Sequence, residues 1–250
     1  MIIAHPGHEL RVHHWVETAK PQVLVLTDGS GRTNQSRLAS TTKILQRAGA
    51  MPGPIYGRFS DAALYDVMLS RKYELAVKLV KEAADWLVAG EFDLVAGDAF
   101  EGYNTSHELC RYLIGAACER VRRQTGRIIT NYDFLLVNRP DECPAELRPN
   151  AICLHLDDAA IGRKLAAAEG YPELKHEVES ALNKFGKDLF AKEWLRPVSN
   201  DAGLNPPPTA VPFFETYGEK QKASGHYQHV IRFREHLLPM AQAMWRFATH

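Results

Sequence analysis

Two imidazoles and a carboxylate fall within five positions near the start of the sequence, in Ala4-His5-Pro6-Gly7-His8-Glu9, directly after the apolar Met1-Ile2-Ile3. Histidines three apart share a face if the chain turns into a helix after a short strand. Converging, they make half of a zinc-type donor set, and the third ligand must come from elsewhere. The place to look is the run from Asp98 to His107, which follows the apolar stretch Phe92-Asp93-Leu94-Val95-Ala96 and again ends on a histidine at a helix start. Open α/β sheets build their sites from residues delivered by strand ends to one crevice. His5, His8 and His107 are therefore the expected metal ligands, and a zinc or similar divalent ion is the expected cofactor. The plainer alternatives are a hydrogen-bonded turn at His5 and His8 and an exposed helix-start histidine at 107. Glu9 reads either as a carboxylate orienting a ligand imidazole or as a first-turn acid favoured by the helix dipole.

These residues need strands and helices in alternation to position them, and the chain supplies that pattern. A helix is expected over Leu10–Ala19 and a buried strand over Gln22–Leu26. A second helix, capped by Asn34 or Ser36, runs to Ala48 and stops at Gly49. Met51–Ser60, rich in Pro and Gly, reads as a loop. Tyr73–Leu87 is amphipathic, with Leu75, Leu79, Val80, Ala83 and Leu87 on one side. After the Phe92–Ala96 strand and the 98–107 turn, a helix is expected from Ser106 to Arg123. Strands are then expected at Arg127–Ile129, Phe134–Val137 and Ala151–Leu156. The helix after the last of these opens on Asp157 or Asp158, acids that suit a helix N-terminus. From Tyr171 onward the pattern reads as helical, broken at Asn205-Pro206-Pro207-Pro208 and ending in a helix over His226–Phe247. Strands alternating with crossover helices predict a mainly parallel, three-layer α/β sheet over 1–170, with a helical extension over 171–250.

Composition narrows the class further. With 250 residues, 45% hydrophobic and 24% charged, the chain is an ordinary globular protein able to bury a sizeable core. A formal net charge of zero gives no electrostatic reason to expect nucleic acid or an anionic membrane as partner. No apolar run approaches the roughly 20 residues of a membrane helix, and the N-terminus does not read as a secretory signal. Cys110, Cys118, Cys143 and Cys153 show no CxxC spacing. Cys110 and Cys118 fall on an apolar helix face as buried thiols, so a reducing, cytoplasmic setting is expected. Homo-oligomerisation is left open.

In order along the chain, the motifs resemble those of the PIG-L/LmbE-like N-acetylglucosaminyl deacetylases, metal-dependent amidases on a Rossmann-like sheet. That family opens with a strand running into His-Pro-Asp-Asp-Glu, where this chain has His5-Pro6-Gly7-His8-Glu9. Its second strand ends in Thr-Asp-Gly, matched by Thr27-Asp28-Gly29, and the substrate-contacting Arg of the next helix has its nearest equivalent in Arg37. A later turn ending in a metal-ligand His is matched by His107. A strand ending in Asp before a helix with Arg-Lys and small residues is matched by Asp157 and Arg163-Lys164-Leu165-Ala166-Ala167. The resemblance covers residues 1–170 and implies an N-deacetylase acting on a small amino-sugar-like substrate. The departures are specific. Gly7 stands where the family has its general base, His8 replaces the second, carboxylate ligand, and Asn104 occupies the position of an imidazole three residues before the last ligand. Glu101 or Asp98 must then act as base, Glu101 being preferred.

Asn104 or Tyr103 is the expected donor to the oxyanion, although Tyr103 equally suits a core position. Asp28 reads as a group orienting the site or as a turn residue bonding local backbone. Arg32 and Arg37 read as solvated charges or as a grip on a sugar hydroxyl or phosphate. The Gly29-Ser30-Gly31 loop fits no phosphate-binding fingerprint, which argues against a nucleotide-sugar enzyme. A metal-retaining binding protein, its catalysis lost with the usual Asp, is the alternative that Gly7 keeps open.

Overall fold

The computed structural model describes residues 1–31, 33–205 and 207–250. In chain order its elements are β1 (Ile2–Ile3), α1 (His13–Ala19), β2 (Gln22–Thr27), α2 (Leu38–Ala48), β3 (Met51–Phe59), α3 (Asp61–Leu69), α4 (Tyr73–Ala89), β4 (Leu94–Asp98), α5 (Thr105–Thr125), β5 (Thr130–Phe134), β6 (Ile152–His155), α6 (Asp158–Glu169), α7 (Lys175–Phe185), β7 (Lys192–Pro197), α8 (Phe213–Ala223) and α9 (Leu238–Thr249). The fold is α/β, a seven-stranded, mostly parallel mixed sheet flanked by helices, as the alternation predicts. Two compact units can be distinguished: Met1–Asp61 with Asp133–Pro197, and Ala62–Tyr132 with Val198–His250. Among the described residues no helix is long and apolar enough to cross a membrane.

In the first unit β1 runs parallel to β2, with Ile2 opposite Leu24 and Ile3 opposite Val25. Ile2, Ile3 and Val23 to Leu26 are wholly buried, the continuous apolar run expected of parallel strands covered on both faces. β3 pairs parallel with β2, and β6 pairs antiparallel with β7. Asp157 caps α6 by accepting the Ala160 N–H at 2.7 Å. Buried Lys164 of α6 meets Glu193 of β7 at 2.8 Å, and Glu193 also accepts the N–H groups of His14 and Trp15 at the start of α1. One buried carboxylate thus ties a strand to two helices, with every partner supplied.

In the second unit α4, α5 and α9 pack on one another. Their meeting faces carry Leu79, Val80 and Ala83, then Leu109, Leu113 and Ala117, then Met240, Ala241 and Met244, all buried. Cys110 and Cys118 lie in this core as expected, and burial raises both thiols, Cys118 to about 12.

Several elements differ from the sequence expectation. Met51–Phe59 is a strand rather than a loop: it pairs with β2 alone at the sheet edge, with register irregularities, where Pro and Gly are tolerated. The two strands expected at Arg127–Ile129 and Phe134–Val137 are replaced by the single β5. The segment beyond Tyr171 contains β7, hidden in the sequence by its charges, because Glu193 is buried against Lys164 and the N–H groups of His14 and Trp15. The expected first helix begins as a 3-10 turn over His8–Val12, and the last as a π turn over Phe233–Leu237 leading into α9.

Candidate functional site

In the first unit the end of β1 places His5 against the end of β2. His5 Nδ1 lies 2.7 Å from the Thr27 hydroxyl, which itself donates to the Ala4 carbonyl at 3.2 Å and accepts the Gly29 N–H at 3.2 Å. Asp61 Oδ1 stands 3.0 Å from the same nitrogen, and Asp61 Oδ2 accepts the Gly31 N–H at 2.6 Å. Burial works to raise the Asp61 pKa, but the His5 ring, the Thr27 hydroxyl and the Gly31 N–H outweigh it and hold the carboxyl well below its usual range. A hydroxyl oxygen and a carboxylate oxygen beside Nδ1 favour the tautomer that carries its proton there. Metal-binding imidazoles are held in this way.

His8 opens the 3-10 turn, and its ring stands edge-on to His5, centroids 5.3 Å apart and planes at 83°. The two imidazoles thus make an edge-on contact. Gly7 makes it by adopting φ +103°, a conformation that L side chains rarely adopt. A side chain there would be strained by this φ, and its Cβ would lie 2.2 Å from Leu174 Cδ1, so the leucine would have to shift to admit a carboxylate base. Glu9, fully buried, fixes this turn: it accepts the Gly7 N–H at 2.8 Å and the Thr41 hydroxyl at 2.7 Å, and Thr41 contacts the Tyr171 hydroxyl at 3.0 Å.

Asp28 makes an Asx turn, accepting the Ser30 N–H at 2.9 Å, while Thr27 and Asp61 are the groups at His5 Nδ1. Arg37 folds over the glycine loop: a Cβ on Gly31 would lie 3.7 Å from Arg37 Nη2 and 3.9 Å from Asp61 Oδ2. The arginine and Asp61 therefore both border Gly31. Arg32 and Pro206 lie outside the described residues.

In the second unit β4 ends on Asp98, which is fully buried, and the following turn carries Glu101, Tyr103 and Asn104 into α5. Asn104 caps that helix, its Oδ1 accepting the Ser106 N–H at 2.8 Å. His107, in the first turn, is buried rather than exposed. Glu108 holds the turn from below by accepting the N–H groups of Glu101 at 3.1 Å and Gly102 at 2.8 Å. Burial above all, with Glu101 and Asp98 adding like charge against those two N–H donors, raises Glu108 to about 7. Tyr103 is exposed, not a core residue.

Within this unit the five expected residues from Asp98 to His107 thus share one strand-end turn, and within the first unit His5, His8, Asp28 and Arg37 gather around the ends of β1 and β2. Asp61 and Glu108 escaped the sequence reading. Asp61 follows a segment that reads as a loop, and Glu108 looks like an ordinary first-turn acid. Among the described residues no group of three or more His, Cys, Asp or Glu side chains is assembled as a metal site. No family model, curated protein or solved structure matches the chain.

Proposed function

We propose that this protein is a metal-dependent amidohydrolase that removes an N-acyl group, acetyl in the first instance, from an amino-sugar-like substrate. The observation that carries the reading is the hold on His5. A hydroxyl and an ionised carboxylate fix Nδ1, and a second imidazole stands 5.3 Å away. In this reading His5, His8 and His107 are the ligands of a zinc or similar divalent ion, which when bound supplies a Lewis acid for the amide carbonyl and lowers the pKa of the attacking water. Glu101, or Asp98, accepts the proton of that water at a carboxylate oxygen and returns it to the departing amine nitrogen. The Tyr103 hydroxyl or Asn104 Nδ2 donates to the carbonyl oxygen as negative charge develops on it. Arg37 grips a hydroxyl or phosphate of the substrate, and the backbone around Asp28 shapes the rim. The ordered family motifs support the same activity, and four unbridged cysteines suit a cytoplasmic enzyme.

Acetate release from N-acetylglucosamine glycosides tests the proposal. Release that stops on chelation and returns with zinc is the expected result. Gly7 favours one other reading, a metal-retaining binding protein, since it brings no side chain to the position of the family's base. Bound metal with no hydrolysis of any N-acyl sugar would select it.

A further inference from the structure

We infer that His236 is a pH-sensitive latch at the entry to α9: its neutral ring closes the π turn over Phe233–Leu237, and protonation opens it. The inference is independent of the amidohydrolase reading and concerns the second unit alone.

A helix start leaves backbone N–H groups without partners inside the helix. A common remedy is a carboxylate at the third helical position that reaches back to the N–H of the capping residue. Here the capping residue is Arg232, and the third position holds Glu235. The wider π turn gives the task to the next residue instead. His236 Nδ1 accepts the Arg232 N–H at 3.0 Å, while Glu235 stands 3.7 Å from the Arg232 guanidinium. The His236 N–H returns to the Arg232 carbonyl at 2.9 Å, so one residue closes the turn from both sides. The neighbouring Phe233 N–H is taken by Glu215 of α8 at 2.6 Å. Such π turns are rare and gather at sites of function.

A backbone N–H can only donate, so the Nδ1 that faces it is bare and the proton of the neutral ring sits on Nε2. A second proton goes onto Nδ1 and meets the Arg232 N–H hydrogen to hydrogen. The charged ring then turns to the Arg232 carbonyl, where it competes with the His236 and Leu237 N–H groups that form the turn, at 2.9 and 3.4 Å. Histidine is the residue type whose charge changes between pH 5 and 8. The charges facing the ring are Arg71, just after α3, with Arg232 and Glu235 on its own segment, and Glu215 and Glu219 of α8 face the Arg232 guanidinium. Burial, foremost, with the two arginines, outweighs the Arg232 backbone and Glu235 and lowers the His236 pKa from its ordinary 6.5. The latch is therefore fully closed above 6.5 and opens as pH falls from there through the lower folded value.

Amide exchange on the whole protein, resolved by residue and corrected for the intrinsic effect of pH, tests this between pH 7.5 and 4.5, with the ring nitrogens followed by NMR. The Arg232 N–H should lose about fivefold in protection on acidification, the weight of one helix cap, while amides in the middle of α4 and α5 keep theirs. His236→Gln offers an acceptor that does not titrate and should hold the protection at both ends of the range. His236→Ala should show the low value at both, with a melting temperature that confirms folding. A proton on Nδ1 at pH 7.5, a ring still neutral at pH 4.5, or the same pH dependence in the parent and the glutamine variant would overturn the latch. So would a loss shared equally by α4 and α5, the mark of general acid unfolding.

Discussion

His5 is held through one nitrogen, and the rest of the account depends on that hold. Thr27 and Asp61 set the tautomer and the direction of the ring, so loss of either should show in metal affinity before it shows in folding. Thr27→Val and Asp61→Asn are each expected to weaken zinc binding about 10- to 100-fold in competition with a chromophoric chelator. Parent-like affinity in both would mean that His5 is not held as a ligand. The base is a separate question, because Gly7 has no side chain and a φ that strains any other residue. Glu101→Gln should cost about 10²- to 10⁴-fold in turnover with metal content unchanged. The same loss from Asp98→Asn, with none from Glu101→Gln, would move the role to Asp98. At this scale the closeness of His5 and His8 in sequence pointed to the two rings, but the contact comes from the left-handed turn at Gly7 rather than from a shared helix face. Asp61 was not legible, since its approach to His5 depends on β3 carrying the chain back beside β2.

Elements were legible where local chemistry and burial agree. β1, β2 and β4 are apolar runs, and α5 and α6 carry Asn104 and Asp157 where a helix wants a cap. The sequence misled where tertiary contacts overrule local signals. β3 holds Pro and Gly that only an edge strand tolerates, and β7 holds a glutamate whose burial depends on a lysine from α6. The 98–107 turn is clamped from both sides, by Asn104 at the helix start and by Glu108 beneath Glu101 and Gly102. Asn104→Ala should therefore lower stability by about 1 kcal/mol in denaturant titration, and Asn104→Asp should recover most of it. An unchanged midpoint in Asn104→Ala would show that the cap contributes nothing to the turn.

Over the whole chain the α/β class was readable from alternation, whereas the partition into two units was not. Each unit joins segments far apart in sequence, Met1–Asp61 with Asp133–Pro197 and Ala62–Tyr132 with Val198–His250, and no linker composition marks where the chain leaves one and enters the other. Stability should carry a signature of the first unit's buried charges. Burial, foremost, lowers the His13 pKa from its ordinary 6.5, with Glu17 and Glu193 pulling it up and Lys164 and Arg163 pulling it down. The unfolded chain therefore takes up this proton at higher pH than the folded one. The contribution is complete above 6.5 and is lost as pH falls from there through the lower folded value. The denaturation midpoint should drop between pH 7 and 5, and His13→Gln should flatten that drop. Parallel profiles for parent and variant would remove His13 from the explanation.

The central claim is that three imidazoles hold a divalent ion, and metal content measured on the purified protein tests it most directly. Elemental analysis of protein prepared without chelators should find about one zinc, or one equivalent divalent ion, per chain. His8→Ala and His107→Ala should each release most of it, and His8→Asp should retain part, since a carboxylate is an acceptable ligand. Protein that carries no metal after incubation with zinc, or that keeps full occupancy in both alanine variants, would contradict the account.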